Sequence, residues 1–357
     1  MIAGRLAYVA LVVADVDGVA GALARDFGLR RSDCAAGETG RTAPVFAVGA
    51  SALALFAPGD PFLGEDARPG LHHIALEVPD LAAAIGAVTV AGVALGDRTP
   101  RPGLGRARRL GLAPAATAGV RTYLTEPLVG VEPSPPGWVE RIDHVGVASA
   151  DNIGALEVFC GRLGLPLEST QTDLEVRIPV ESFTSDKYGV VYHSRPPEPV
   201  GGLRVAFVTV GDSDLEFLQD FDPRHDAEAA QRGPGTTKQD QGAIARFVAS
   251  RGPGLHHLAL KVGDVGAALA RLAAGGPRPQ LVRVGVDADE AVARVAALSD
   301  AEVQEISGRL DTLPAGQIHG PVIGAAVLVF LVLLFLDLFG VIDVFPFINP
   351  IDKKAKR

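Results

Sequence analysis

The sequence predicts an α+β fold of repeated βαβββ units, followed by a C-terminal helical segment and one transmembrane helix. Three observations predict it. The segment GLHHIALEVPDLAAAI at 70–85 recurs as GLHHLALKVGDVGAAL at 254–269, with the same residue at 10 of 16 positions. Two further segments, LAYVALVVADVDGVAGAL from Leu6 and IDHVGVASADNIGALEVF from Ile142, share its shape of apolar strand, Asp-bearing turn and amphipathic helix. Finally, PVIGAAVLVFLVLLFLDLFGVI, from Pro321 to Ile342, is apolar on every helical face. It has the length needed to cross a bilayer core of roughly 30 Å.

The chain therefore carries four strand–turn–helix openings. After the first come APVFAV and SALALFA, and after the third VRIPV, GVVYHS, LRVAFVTV and DLEFLQ, all β-branched or aromatic runs that read as strands. After the second, RRLGLA and VRTYLTE supply two strands. After the fourth the pattern fails: beyond Arg278 the apolar positions Val292, Val295, Leu298, Val303 and Ile306 have helical spacing, so this unit reads as truncated. The resulting division is a degenerate first module pair at 1–128, a Pro-rich linker at 129–140 and a second pair at 141–278. A helical linker at 279–318, the transmembrane helix at 319–345 and a short basic tail at 346–357 follow. The basic stretch RTPRPGLGRARR at 98–109 has the composition of a phosphate or CoA contact, yet reads more simply as a solvated loop.

Composition sets further bounds. With 357 residues, 48% hydrophobic and 21% charged, the chain can bury the cores of two ordinary domains and is neither disordered nor fibrous. A net charge of −9 argues against a nucleic-acid partner, because phosphate backbones are held by clustered Lys and Arg. The two cysteines, Cys34 and Cys160, form no CxxC pair, which disfavours a disulfide framework or a thiolate zinc site and fits a reducing compartment. The first residues lack a basic n-region and are interrupted by Asp15 and Asp17, so they read as a strand and not as a signal peptide.

Strand alternation selects candidate ligands. In HHLALKV, Leu258, Leu260 and Val262 make the helix-facing side, leaving His257 on the other; in IDHVGVA, Val145 and Val147 oppose His144; in DLEFL, Leu215 and Phe217 oppose Glu216. His144, Glu216 and His257 thus face one way, and His72 and His256 fall on the opposite side. Two imidazoles and a carboxylate suit Co²⁺, Mn²⁺, Fe²⁺ or Zn²⁺. An ordinary hydrogen-bonded strand histidine is the alternative at each position.

A strand opening HxG or HxA, then a helix, a sheet and a GLHH strand, resembles the vicinal oxygen chelate superfamily, in particular methylmalonyl-CoA epimerase and glyoxalase-like proteins. The likeness runs over roughly residues 5–275 and is sharper in the second half. It implies paired modules whose curved sheet cups a divalent metal, with His144, Glu216 and His257 at three of four ligand positions. The fourth, a Glu on the last strand of the final module, has no counterpart; Glu302 and Glu305 lie at the right distance but in a segment of helical spacing. In the first half Tyr8, Ala54 and Tyr123 stand at ligand positions and only His73 survives, which implies a scaffold or docking surface.

From Leu281 onward the chain also resembles small uncharacterised bacterial membrane proteins. Asp337 is the one charge in the span, and a carboxylate in hydrocarbon costs roughly 2.5–3.5 kcal/mol, so it is expected at an interface with other transmembrane helices. The KKAKR tail favours the cytoplasmic side. The missing signal peptide instead keeps the large body cytoplasmic, and the second argument is preferred because it concerns far more chain. The expected protein is a single-pass bacterial inner-membrane protein that is non-catalytic and docks its body onto an integral-membrane complex. The alternative is a membrane-tethered metal enzyme of epimerase, glyoxalase or dioxygenase type.

Overall fold

In a computed structural model, the first three openings become modules, and the fourth is described only as a strand and the helix after it. The structure describes residues 2–64, 67–131, 134–135, 137–177, 180–185, 189–194, 198–223 and 242–275. The first module runs β1 (Arg5–Val12), α1 (Val16–Arg25), β2 (Arg31–Ala36), β3 (Arg41–Val48) and β4 (Ser51–Phe56). The second runs β5 (Gly70–Glu77), α2 (Leu81–Val90), β6 (Arg101–Pro102), β7 (Arg108–Gly111) and β8 (Thr122–Thr125). In the third, β9 (Val139–Ala148) leads into α3 (Asn152–Leu156), which continues as a π-helical turn over Glu157–Arg162. Then come β10 (Leu167–Arg177), β11 (Val180–Ser185), β12 (Gly189–Ser194), β13 (Glu198–Val210) and β14 (Ser213–Phe221). Helix α4 (Gly242–Arg251), β15 (Gly254–Val262) and α5 (Val265–Gly275) complete the described chain.

The Asp of each opening has one structural job. Asp15 Oδ1 accepts from Gly18 N at 2.8 Å, Asp80 Oδ1 from Ala83 N at 3.0 Å, Asp151 Oδ1 from Ile153 N at 3.0 Å and Asp264 Oδ1 from Ala267 N at 2.9 Å. Each carboxylate satisfies an orphan donor at a helix start and complements the positive end of the helix. The strand therefore stops and the helix begins at the same point four times.

Modules one and two close into an eight-stranded sheet, ordered β2-β3-β4-β1-β5-β8-β7-β6, joined where β1 pairs antiparallel with β5. The third module repeats this as β10-β13-β14-β9, with β15 antiparallel to β9 as β5 is to β1. Each sheet is mixed, because β1 also pairs parallel with β4 and β9 with β14. The largest apolar cluster takes Leu6, Ile74 and Leu124 from the first half together with Val145, Val147, Phe159, Phe217 and Leu258 from the second. The two halves thus share their main core, where the composition alone suggested separate ones. Polar contacts tie the same boundary: Ala50 N donates to Asp212 Oδ2 at 3.1 Å.

Two readings of the third module need correction. Of β10 only the end, Val176–Arg177, fell in an expected strand, because its start is a sheet edge: residues 167–171 are exposed, so LESTQ shows no apolar alternation. Conversely, GVVYHS is not part of the cup. It forms β12 of a separate two-stranded hairpin with β11, inserted between β10 and β13. Among the described residues no helix is long and apolar enough to cross a membrane. The expected span, Asp337, Glu302 and Glu305 all lie outside the described residues.

Candidate metal centre

The three sequence-selected ligands come together on the concave face of the second sheet. β14 lies parallel to β9 with Glu216 opposite Gly146, and β15 lies antiparallel on its other side with His257 opposite the same glycine. Val145, Val147, Leu215, Phe217 and Leu258 are consumed by the helix-side core, so alternation turns His144, Glu216 and His257 into the cup. His257 Nε2 is 3.1 Å from Glu216 Oε2 and 3.3 Å from His144 Nε2, while His144 Nε2 is 3.4 Å from Glu216 Oε2. Both imidazoles are buried, and the Glu216 side chain is 12% exposed.

This triangle fits a cation. Ligands at about 2.1 Å from a metal lie about 3.0 Å apart when cis in an octahedron and about 3.4 Å apart in a tetrahedron. Glu216 Oε2 is buried and makes no properly angled hydrogen bond despite its two short histidine contacts. A buried carboxylate oxygen in that position is costly unless something electropositive meets it.

Electrostatics point the same way. Burial pushes the Glu216 carboxyl up, but His144 and His257 outweigh it and hold Glu216 below its usual range. Burial pulls His144 down, but Glu216 and Asp143 outweigh it and raise His144 above its usual value. Burial keeps His257 below its usual value despite Glu216. Without metal, the cluster therefore favours ionised Glu216, a protonated His144 and a neutral His257. Metal uptake displaces the His144 proton.

The sequence reading placed His72 and His256 on the far face, and this is corrected by β-bulges. The register slips between Leu255 and His257 against β9, and between Leu71 and His73 against β1, so alternation fails at the residue between. His256 Nδ1 lies 3.1 Å from His257 Nδ1, and its ring meets Phe247 of α4 edge-on at 4.9 Å. His72 Nδ1 likewise lies 2.8 Å from His73 Nδ1. Sequence reasoning also passed over Asp143, whose Oδ2 is 3.3 Å from His144 Nδ1; the adjacent DH pair in IDHVGVA is the signal that marked it.

These buried histidines set an acid limit on stability. Burial, with Arg121 and Arg109 nearby, pushes His72 down to about 4, and burial also lowers His73, His256 and His257. In the unfolded chain all four titrate near 6.5, so as pH falls below that value the unfolded state takes up protons that the folded state refuses. Stability then falls by about 1.4 kcal/mol per pH unit for each such proton. His144 has the opposite sign: its contribution is full below about pH 6.5 and is lost as pH rises through its raised folded value. Urea denaturation of metal-free protein is expected to show a clear drop from pH 6.5 to 5; equal stability at both would contradict neutral burial of these rings.

The first cup is closed. Tyr8, Phe56, Phe62, Leu63 and Leu104 pack inside it, and Ala54 sits at the carboxylate position. Arg109 of β7, only 8% exposed, lies between rings, 3.6 Å from the Phe62 centroid and 4.2 Å from that of Tyr123. Its Nη2 donates to Phe62 O at 2.7 Å. The reading of 98–109 as a solvated loop fails over its second half: Leu104, Ala107 and Arg109 are buried, while Arg108 pairs with Glu126 at the surface. His73, the surviving ligand residue, is 3.2 Å from Tyr8 OH and 3.4 Å from Arg109 Nη1. A fixed guanidinium beside the histidine repels a metal from this half.

Comparison with known proteins agrees with the fold. No curated protein matches the chain. Over 77% of this chain and 76% of the other, the structure resembles a variant of 4-hydroxymandelate synthase from Streptomyces coelicolor, with a TM-score of 0.52 and 18% identity. Methylmalonyl-CoA epimerase from Mycobacterium tuberculosis aligns over 35% of this chain and 89% of its own, at 27% identity and a TM-score of 0.32. A family of unknown function (DUF6627) matches residues 263–352, and its description adds no membrane role. The profile of the glyoxalase/bleomycin resistance protein/dioxygenase superfamily matches residues 7–109 and 143–296, most of the described body in both halves. The chain belongs to that superfamily.

Proposed function

We propose that this chain is a divalent-metal enzyme of the dioxygenase or epimerase kind, with its chemistry confined to the second half and its body held at a bacterial inner membrane by residues 319–345. The convergence of His144, Glu216 and His257 on one point carries the reading. Two histidines and one carboxylate leave three octahedral positions for oxygen ligands, the arrangement of non-haem Fe²⁺ oxygenases, so Fe²⁺ ranks ahead of Co²⁺, Mn²⁺ and Zn²⁺. When bound, the metal supplies Lewis acidity toward an oxygen-rich substrate.

The chain's own residues do the rest. His144 and His257 supply neutral nitrogen donors, and Glu216 supplies the charge that offsets the cation. Phe207, 5.9 Å from the His144 ring, and Phe247 beside His256 make an apolar wall that keeps water from the cup. The sequence favours an accessory subunit through its degenerate first module pair, its truncated fourth module and the Asp337 carboxylate in the apolar run. Three converging donors favour the enzyme, since an open coordination position is what catalysis needs. Likeness to 4-hydroxymandelate synthase across both halves supports a two-half body. For the anchor, the support is the apolar run at 321–342.

Metal analysis of full-length protein in mild detergent tests the reading: about one equivalent per chain in wild type and none in His257→Ala are expected. Metal-free wild type that stays metal-free on reconstitution would overturn it. In the same preparations, alkaline washing is expected to leave the full chain in the membrane pellet and to release a chain ending at residue 318.

A further inference from the structure

The two histidine doublets, His72-His73 and His256-His257, have the same sequence and the same bulge, yet their neighbours suit opposite proton directions. In the first half, Arg121 Nη1 lies 2.6 Å from His72 Nε2. A guanidinium can only donate, so His72 accepts at Nε2 and carries its proton at Nδ1. That proton points at His73 Nδ1, 2.8 Å away, which must accept. The His73 proton is then on Nε2, with Tyr8 OH at 3.2 Å as its acceptor; Arg109 Nη1, a donor only, crowds the same nitrogen at 3.4 Å and would otherwise take its lone pair. His73 has no lone pair to offer the cup, whatever occupies it.

The second half suits the reverse order. His144 Nδ1 faces the carboxylate of Asp143 at 3.3 Å, which can only accept while ionised, so when a metal displaces one His144 proton the other stays on Nδ1 and the Nε2 lone pair is freed. His257 Nε2 faces Glu216 and His144, and its Nδ1 faces His256 Nδ1 at 3.1 Å. For His257 Nε2 to bind a metal its proton must sit on Nδ1, and His256 Nδ1 is the acceptor placed to receive it.

We propose that Asp143 and His256 are positioning residues that hold His144 and His257 as their Nδ1–H tautomers, turning both Nε2 lone pairs onto the metal. The proposal rests on the metal-site reading above and adds what selects the competent half: the direction of one proton relay. Acceptors behind metal-bound histidines fix ring orientation and donor strength, and their loss weakens metal binding by about 10–100-fold. Asp143 is also bound by Arg141 at 2.9 Å, which fixes its carboxylate, and His256 is fixed by packing on Phe247.

The test uses full-length protein, Zn²⁺ as the probe and competition against a chromophoric chelator. Asp143→Ala and His256→Phe are each expected to weaken Zn²⁺ binding by about 10–100-fold. His256→Gln, whose amide oxygen can accept the same proton, is expected to recover to within about threefold of wild type, which a lost packing contact would not allow. Long-range 1H–15N spectra of Zn²⁺-loaded wild type should place protons on Nδ1 of both His144 and His257. Wild-type affinity in Asp143→Ala and His256→Phe, equal loss in His256→Gln and His256→Phe, or an Nε2 proton on either ligand would overturn the proposal alone. A wild-type chain without Zn²⁺ affinity would overturn the metal reading and the proposal together.

Discussion

Gly146→Ala is expected to abolish tight metal binding without altering a single ligand. The His257 ring lies directly over Gly146, and a Cβ built there falls inside the imidazole, against Cε1, Nδ1 and Nε2 together. The ring cannot yield in place, because it is 2% exposed and lies between His256, Glu216 and His144. It must swing out of the triangle, which removes one of three protein donors. Since losing an outer acceptor already costs about 10–100-fold, loss of a direct ligand is expected on the order of 1,000-fold, about 4 kcal/mol. Chelator competition measures this, with far-ultraviolet circular dichroism as the check that the strand survives. Affinity within threefold of wild type would mean that His257 is not a ligand. The first half makes the comparison internally: the residue paired with His73 is Ala10, not glycine, and that histidine serves an apolar core.

Arg109→Ala is expected to destabilise the fold while leaving the metal site alone. The guanidinium fills the first cup, stacked between Phe62 and Tyr123 and bonded to Phe62 O. Truncation removes two desolvated cation–π contacts of up to about 2 kcal/mol each, leaves a cavity and orphans a carbonyl, offset by relief of burying a charge. A net loss of about 3 kcal/mol follows, which lowers Tm by roughly 4–5 °C in a chain of 357 residues. Arg109→Met, which keeps the stem and volume without the charge, is expected to lose less. Differential scanning calorimetry with parallel Zn²⁺ titration separates the outcomes. A variant as stable as wild type would show that Arg109 only occupies space, and a variant that also lost Zn²⁺ affinity would show that the two cups are coupled through their shared core.

Much of this arrangement was legible beforehand because it follows from local rules. Four strand–Asp–helix openings announced four modules, since an Asp before an amphipathic run caps a helix wherever it occurs. Alternation sorted His144, Glu216 and His257 from the valines and leucines beside them, because successive strand residues face opposite sides. The same rule misplaced His72 and His256, for a bulge is a property of pairing between strands and leaves no mark in a single strand's pattern. It also missed the start of β10, where residues 167–171 are exposed on both faces, and Arg109, whose basic neighbours disguised a buried residue as surface.

What the sequence determined by itself was the repeat, the fold class and the identity of three donors facing one cup. What only the tertiary structure decided was that those donors converge within about 3.4 Å of one another and that the first cup is filled by Arg109 and apolar side chains. His73 and His257 are the same residue in the same motif, and their difference comes from residues distant in the chain: Arg121 and Arg109 near one, Asp143, Glu216 and an underlying glycine near the other. Metal competence depends on lone pairs converging within about 3 Å, and that distance is set by strand register and packing, not by spacing along the chain.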